Sequence, residues 1–394
     1  MIGRVFYAAS GPGDLIESHR NWKKGEHNPT EVSITFSGQI QEFCRAVNAE
    51  AYFISTHPRK EILTDQSFTF EHRPKPVRHA ARFHLTEILY GIGLLTTALR
   101  FRAQVVLVDS GCTHFFVLSL FRLFGMRIVP ILHNTLWASG FPPIKPAPRL
   151  VLWLDSLFWR WIPEAAIAVS PECERQVDLI RKKKYYQIFQ TRAQFLPEYF
   201  AKIPPPPPHE RRPFQMMFIG RIERAKGVFD ILEIARRIEN SHPGLVRWEI
   251  CGRGGDFDEF SRRHQELGLG DVVNVRGWTS LDDLLCVYGR SHACIVPTRS
   301  TFTEGLAMTC AEAILAGRPV VTNPVVPALE VLRPACVAAK TNDLESHLEC
   351  VLELAMDAET YRRLCSACPD LRAQFYDRNF GLAAVLKRAL ARYL

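Results

Sequence analysis

Four side chains in the second half of the sequence have the types and spacing to handle a phosphorylated ligand. Glu304 and Glu312 stand eight positions apart in TEGLAMTCAE, and Arg221 and Lys226 flank a turn in FIGRIERAKGVFDIL. An arginine can fork two phosphate oxygens, a lysine adds a point charge, and the N–H groups at a helix start already favour an anion. Gly220 and Arg221 close a short apolar run there, and Lys226 and Gly227 open an amphipathic pattern. With a helix beginning just after Glu304, its free N–H groups are those of Gly305, Leu306, Ala307 and Met308. The two glutamates then lie about 12 Å apart with helical azimuths differing by about 80°, so both face one side. A nucleotide sugar suits that span: hexose at Glu304, diphosphate over the N–H groups, ribose diol at Glu312, since one carboxylate can accept both hydroxyls. Spacing alone describes two solvent-facing helix glutamates as well. The apolar neighbours of Glu312, namely Cys310, Ala311, Ala313, Ile314 and Leu315, argue against that for the second of them.

Other stretches carry weaker signals. Gly11 and Gly13 in SGPGD, and Gly252, Gly254 and Gly255 in CGRGGD, sit at strand ends where glycine permits close approach to a phosphate. Ile16 and Phe257 occupy the places of the third small residue of a dinucleotide fingerprint, which argues against an NAD-dependent chemistry. Asp256 and Asp258 spell D-x-D, read here as acidic capping of a helix start rather than a metal site. Cys365 and Cys368 form one C-x-x-C with no second Cys or His pair nearby, inside a helical pattern. No metal site is expected.

The elements that must position these residues alternate along the chain. RVFYAA, AYFIS, AQVVLVD, RIVPILH and AAIAVS read as strands in the first half, and QMMFIG, VRWEIC, VVNVRG, ACIVP and RPVVTN in the second, with helical patterns between them. Such alternation predicts βαβ units and parallel sheets. The run IPPPPPHERR breaks both patterns. The expected organisation is α/β, with two doubly wound Rossmann-like domains facing across a cleft. These are an acceptor-side domain over 1–202, a proline-rich linker over 203–213, a donor-binding domain over 214–375, and a helix over 376–394 that packs back across the domains through Leu382, Val385, Leu386 and Leu390. Ligands of open parallel sheets bind beyond the carboxyl ends of the strands, which places a site in the cleft.

Composition sets the class. The 394 residues are 47% hydrophobic and 23% charged, with eight more Lys and Arg than Asp and Glu, which is ordinary globular material that favours an anionic partner. Eleven cysteines, an odd number over a long chain, predict reduced thiols and a reducing cytosol. The N-terminal apolar run is too short for a signal peptide, and no stretch approaches the roughly 18 apolar residues of a membrane span. The helix RLVLWLDSLFWRW at 149–161, which puts Leu152 and Trp159 toward its polar side, reads as core or interdomain packing. Together with Arg181, Lys182, Lys183 and Lys184, its other reading is a peripheral contact with an anionic membrane at the cytoplasmic face. Basic residues are not interleaved with stacking aromatics in a compact module, which argues against nucleic acid.

GRIERAKG and TEGLAMTCAEAILAGRPVV resemble the donor-binding motifs of the GT-B retaining glycosyltransferases of family 4, the glycosyl transferases group 1. The resemblance covers the second domain closely and the first loosely. It implies that Arg221 and Lys226 hold the diphosphate of a nucleoside diphosphate sugar, that Glu304 lies at the transferred sugar, and that Glu312 binds the ribose. It also implies that Gly11 and Gly13 approach the donor, that His133 in PILHNTLW contacts the transferred sugar, and that AIAVSPECERQV matches a first-domain segment around Ser170. The implied activity is transfer to an acceptor hydroxyl, on a sugar, a lipid-linked molecule or another carrier, with retention and without a metal or other cofactor. The pathway would be synthesis of a glycan, polysaccharide or glycolipid. Family members often carry Phe-Gly where this chain has Leu306 and Ala307. An epimerase or phosphorylase of the same fold, or a non-catalytic nucleotide-sugar scaffold, would share the pocket; keeping all four polar residues together argues against the scaffold.

Overall fold

The computed structural model of the chain describes residues 2–26, 32–182 and 185–394; Lys183 and Lys184 of the basic run lie outside them. The chain divides into two compact units. The first comprises Met1–Leu136, Pro143–Gln194 and Asp377–Leu394, and the second Trp137–Pro142 and Phe195–Tyr376. The division therefore falls at 194/195 and not at the expected 202/203, and the C-terminal residues group with the first unit.

The first unit is built on an eight-stranded sheet. Its order is Glu61–Asp65, Phe68–His72, Glu50–Ser55, Arg4–Ala8, Val105–Asp109, Arg127–Leu132, Ala166–Ala168 and Ile188–Gln190, all parallel except the first pair. Val105–Asp109 is buried at every position, as expected of a parallel strand covered on both faces. The hairpin Glu61–Asp65 with Phe68–His72 was not anticipated. Its turn contains Gln66 at φ 54° and no glycine, so only the alternation of EILTDQSFTFEH signals it. The C-terminal helix Leu382–Ala389 closes this core: Leu382, Val385, Leu386 and Leu390 are fully buried beside Ile40 and Phe43, and the Leu382 N–H donates to Gln39 Oε1 at 2.7 Å.

The helix Pro146–Trp161 departs from the sequence reading. Trp159 is fully buried against Phe115 and Phe158 rather than on a polar side, and Leu152 is partly buried. Beneath it Asp155 accepts the Phe116 N–H at 2.8 Å, and burial pushes its carboxyl up to about 7. A raised carboxyl means that the folded chain keeps a proton which the unfolded chain has released between about pH 4 and pH 7. Stability therefore declines as pH rises through that window. Between pH 5 and pH 8 the wild type should lose on the order of 2 kcal/mol more than Asp155→Asn in urea unfolding; equal losses would refute this.

The second unit carries a six-stranded parallel sheet ordered Val273–Gly277, Val246–Cys251, Phe214–Ile219, Ala293–Val296, Val320–Thr322 and Cys336–Ala338. Helix Val228–Ser241 buries Val228, Ile231, Leu232, Ile234, Ala235 and Ile238, the three-and-four spacing of one apolar face, against Phe214, Trp248 and Ile250. The proline run is not a free linker. Prolines lack N–H groups, so their carbonyls need donors from elsewhere. Arg318 donates to Pro204 at 2.9 Å and Pro205 at 3.4 Å, Tyr361 to Pro207 at 2.8 Å, and His292 Nε2 to Pro208 at 3.3 Å. His292 Nδ1 accepts the Gln215 N–H, which leaves the ring proton on Nε2. Residues 204–208 are thus strapped to the second unit.

All eleven cysteines are free, nine of them buried, and Cys365 and Cys368 lie one turn apart inside helix Ala358–Tyr376. No helix among the described residues is long and apolar enough to cross a membrane.

Candidate active site

The Phe214–Ile219 strand delivers Gly220 and Arg221 from the middle of the second sheet. Arg221 is exposed, with Nη1 2.8 Å from a Glu223 carboxylate oxygen and its guanidinium 5.1 Å from the centre of the Phe302 ring. One turn later Lys226 lies 4.0 Å from the same ring centre, and its ammonium donates to Oε1 of Glu304. Gly227 follows at φ 73°, where a Cβ would sit 2.1 Å from the Pro297 carbonyl oxygen. Only glycine fits, and the turn therefore aims Lys226 back over the loop that follows Ala293–Val296.

That loop brings Glu304 in. Its carboxylate is largely buried, and Oε1 takes both the Lys226 ammonium and the Thr298 hydroxyl, the latter at 3.0 Å. The helix expected to begin just after Glu304 begins at Met308 instead and runs to Leu315. Gly305, Leu306 and Ala307 form an irregular lead-in, so the helical estimate of distance and azimuth between the two glutamates does not hold across it. Ala307 has φ 71° at the position where the resembled family often has glycine. An L-residue pays on the order of 1 kcal/mol for that backbone, which glycine adopts freely. Thr309 in the first turn donates to the Ile219 carbonyl at 2.9 Å, tying this helix start to the end of the Phe214–Ile219 strand. Glu312 lies on the same helix, partly exposed among buried Cys310, Ala311, Ala313 and Ile314. Burial pushes its carboxyl up, and the hydroxyl of fully buried Tyr288, donating to Oε2 at 2.7 Å, offsets part of this. The sequence reading missed Tyr288, Thr298 and Phe302. None belongs to a recognisable motif, and each is placed by folding alone.

The second glycine loop serves the first. A Cβ on Gly252 would lie 1.9 Å from the Gly220 carbonyl oxygen, and one on Gly254 2.5 Å from that of Ile222. These glycines let two backbones touch. Asp256 does not cap its own helix, which starts at Phe257; its carboxylate accepts the Arg224 N–H at 2.8 Å and so holds the turn that carries Lys226. Among the described residues no group of three or more His, Cys, Asp or Glu could hold a metal.

In the first unit, Gly11, Gly13 and His133 lie at carboxyl ends of strands. Gly11 has φ 89°, and Gly13 has no atom within 4 Å of an added Cβ, so packing does not account for glycine there. His133 Nε2 is 2.8 Å from Oδ1 of Asp109, without hydrogen-bond alignment, and its ring meets Phe36 edge-on at 4.6 Å. Asp109 is buried and accepts the Tyr7 hydroxyl at 2.8 Å and the Ser10 N–H at 3.2 Å, while Ser110 Oγ accepts the His133 N–H at 2.9 Å. Burial, reinforced by Asp109, raises the Tyr7 phenol. Ser170 is a helix cap, accepting the Cys173 N–H. Beside Gly13, burial pushes the Asp14 carboxyl up, but the Glu17 N–H with His72, Arg59 and His57 outweighs it and holds the group below its ordinary value.

Two α/β units, each on a mainly parallel sheet, match the GT-B fold of solved glycosyltransferase structures. Over its whole length the chain is similar to sucrose-phosphate synthase from Thermosynechococcus elongatus, with TM-score 0.73 and 14% identity over 99% of this chain and 98% of that one. The E. coli trehalose-6-phosphate structure bound with UDP-2-fluoro glucose gives TM-score 0.72 at 10% identity, covering both chains fully. Residues 200–367 match the family Glycosyl transferases group 1, a segment that holds Arg221, Lys226, Glu304 and Glu312. The glycogen synthase of Mycobacterium tuberculosis (strain CDC 1551 / Oshkosh) is 30% identical over 114 residues, which span 28% of this chain and about a quarter (26%) of that enzyme.

Proposed function

We propose that this chain is a glycosyltransferase that moves a sugar from a nucleoside diphosphate sugar to an acceptor hydroxyl, with retention and without a metal. The observation that carries the proposal is the buried Lys226–Glu304 pair beside Arg221 and ahead of Glu312, all within the segment that matches the glycosyltransferase family. Arg221 and Lys226 meet the charge that grows on the departing diphosphate, which preorganised cations stabilise best, and so fill the role a divalent ion would otherwise take. Glu304 orients the sugar and faces the positive charge at its anomeric carbon, and Glu312, held by Tyr288, takes the ribose diol. The bond from the anomeric carbon to the diphosphate oxygen breaks, the acceptor oxygen bonds to that carbon, and the acceptor proton passes to the leaving phosphate. Pairing of Oε1 with Lys226 and Thr298 favours this route over a covalent bond to Glu304. In the first unit His133, with Asp109 beside its ring, contacts the transferred sugar, and Gly11 and Gly13 let backbone N–H groups approach the donor. The eleven free thiols favour a reducing cytosol.

The E. coli trehalose-6-phosphate structure holds UDP-2-fluoro glucose, so UDP-sugars head the donors to test. Screening UDP-, GDP-, ADP- and TDP-sugars should raise the melting temperature by a few degrees with one of them, as ligand at about 100 times its Kd stabilises by about 2.7 kcal/mol. Transfer assays with that donor should proceed in EDTA. No shift with any donor would overturn the reading, and interconversion of the donor sugar without acceptor would make the protein an epimerase.

A further inference from the structure

The first unit has two unlike helical faces. Right-handed crossovers place helices Ala81–Phe101, Phe115–Leu123, Pro146–Trp161 and Pro171–Arg181 on one side of its sheet and Leu15–Lys23 and Phe36–Ala46 on the other. Phe115–Leu123 packs against both of its neighbours in the first layer, and Leu382–Ala389 packs on Phe36–Ala46 in the second.

The outward stripe of the first layer is apolar. Leu150, Trp153, Leu157 and Trp161, spaced at three and four residues on Pro146–Trp161, are 58, 58, 41 and 63% exposed. Leu85, Leu89 and Ile92 make the same stripe on Ala81–Phe101, flanked by exposed Phe83, and Leu120 and Leu123 continue it on the helix between them. No large apolar side chain on the helices of the opposite layer is exposed to this degree among the described residues. Ordinary proteins scatter such residues singly and seldom align them over three adjoining helices.

Charge decides what covers the stripe. Residues 76–162 contain nine Lys and Arg but three carboxylates, Glu87, Asp109 and Asp155, and all three carboxylates are buried. Arg78, Arg82, Arg100, Lys145 and Arg149 are exposed, as is Arg122, whose guanidinium lies 3.8 Å from the Glu164 carboxylate. These three helices therefore show water cations and apolar groups without an exposed carboxylate of their own, whereas the adjoining helix Pro171–Arg181 pairs Glu172 with Arg175 and Asp178 with Arg181, and the opposite layer pairs Glu17 with Arg20 and Glu42 with Arg378. A second copy would set these cations against its own. A bilayer with anionic headgroups accepts both features, with aromatic and aliphatic side chains entering its interface and arginines reaching phosphates.

The geometry points to this three-helix face as a docking surface for an anionic lipid bilayer, lying on the membrane rather than spanning it. The inference goes beyond the donor-site reading, and binding is measured without donor, so either can fail alone. Flotation of the full chain with phosphatidylcholine vesicles, with and without phosphatidylglycerol, should show about tenfold more protein bound to the anionic ones, a preference that falls as salt rises. Trp153→Ser with Leu157→Ser should lower that binding about tenfold at an unchanged melting temperature, since both side chains are exposed. Arg82→Glu with Arg149→Glu should lower it at low salt and flatten the salt dependence. Equal partition into neutral and anionic vesicles, or stripe substitutions without effect, would overturn the inference. So would a dimer on gel filtration that the Trp153→Ser, Leu157→Ser variant dissolves, because a second copy would then cover the face.

Discussion

Lys226→Ala is expected to lower the kcat of the proposed transfer by about 10²- to 10³-fold, the loss typical of one preorganised donor at a developing oxyanion. A second loss accompanies it. In the unliganded protein Lys226 is the cation partner of Glu304, whose side chain is 7% exposed, so the alanine leaves a buried carboxylate with only the Thr298 hydroxyl. Breaking a buried pair from one side destabilises strongly, here by roughly 2 to 3 kcal/mol because Lys226 itself is 16% exposed. The two effects separate in a double variant. Lys226→Ala with Glu304→Gln removes the unpaired charge and should regain most of the stability in urea unfolding, while kcat stays at or below that of Lys226→Ala. Recovery of transfer in the double variant would show that Lys226 acts only by neutralising Glu304, and the diphosphate role would fall.

The parts of this site that could be read from the chain were those in which one short stretch holds both the chemistry and its framing elements. FIGRIERAKG contains a strand end, a turn and two cations; TEGLAMTCAE contains a loop, a helix start and two carboxylates. What the chain hides is pairing at a distance. Tyr288 precedes Glu312 by 24 residues and reads as an ordinary core tyrosine, yet its hydroxyl fixes the carboxylate. Asp256 reads as a helix cap because acids are common at helix starts, but its bond goes to Arg224, 32 residues back, where it steadies the Lys226 turn. The helix start was misplaced by three residues for a related reason. Nothing in Gly-Leu-Ala marks the positive φ of Ala307, a conformation that alanine tolerates only where the surrounding structure enforces it. Strand alternation was legible because parallel strands covered on both faces are continuous apolar runs. The hairpin at 61–72 was not, because its turn lacks the residues that usually announce one.

The proline run was misread most instructively, and it carries the largest stability effect. Five consecutive prolines suggest a stiff spacer, but a segment without N–H groups that lies on a protein surface must find donors for its carbonyls. Arg318 supplies them: fully buried, it donates to Pro204, Pro205, Gly289 and Ser291 at 2.9 to 3.4 Å, and to Ala316. All these partners are neutral carbonyls, and burial lowers the guanidinium to about 10. Arg318→Met fills the volume but donates nothing, leaving several carbonyls dry at about 1 to 3 kcal/mol each. With partial relaxation the expected loss is on the order of 4 kcal/mol, a large share of the roughly 5 to 15 kcal/mol that holds a protein folded. Arg318→Lys keeps the charge but reaches fewer carbonyls from a single nitrogen, and should lose about half as much. The ordering wild type, Lys, Met in urea midpoint is the measurement that matters. A methionine variant within about 1 kcal/mol of wild type would mean that the strap is held by the contacts of Tyr361 and His292 alone, with Arg318 contributing little.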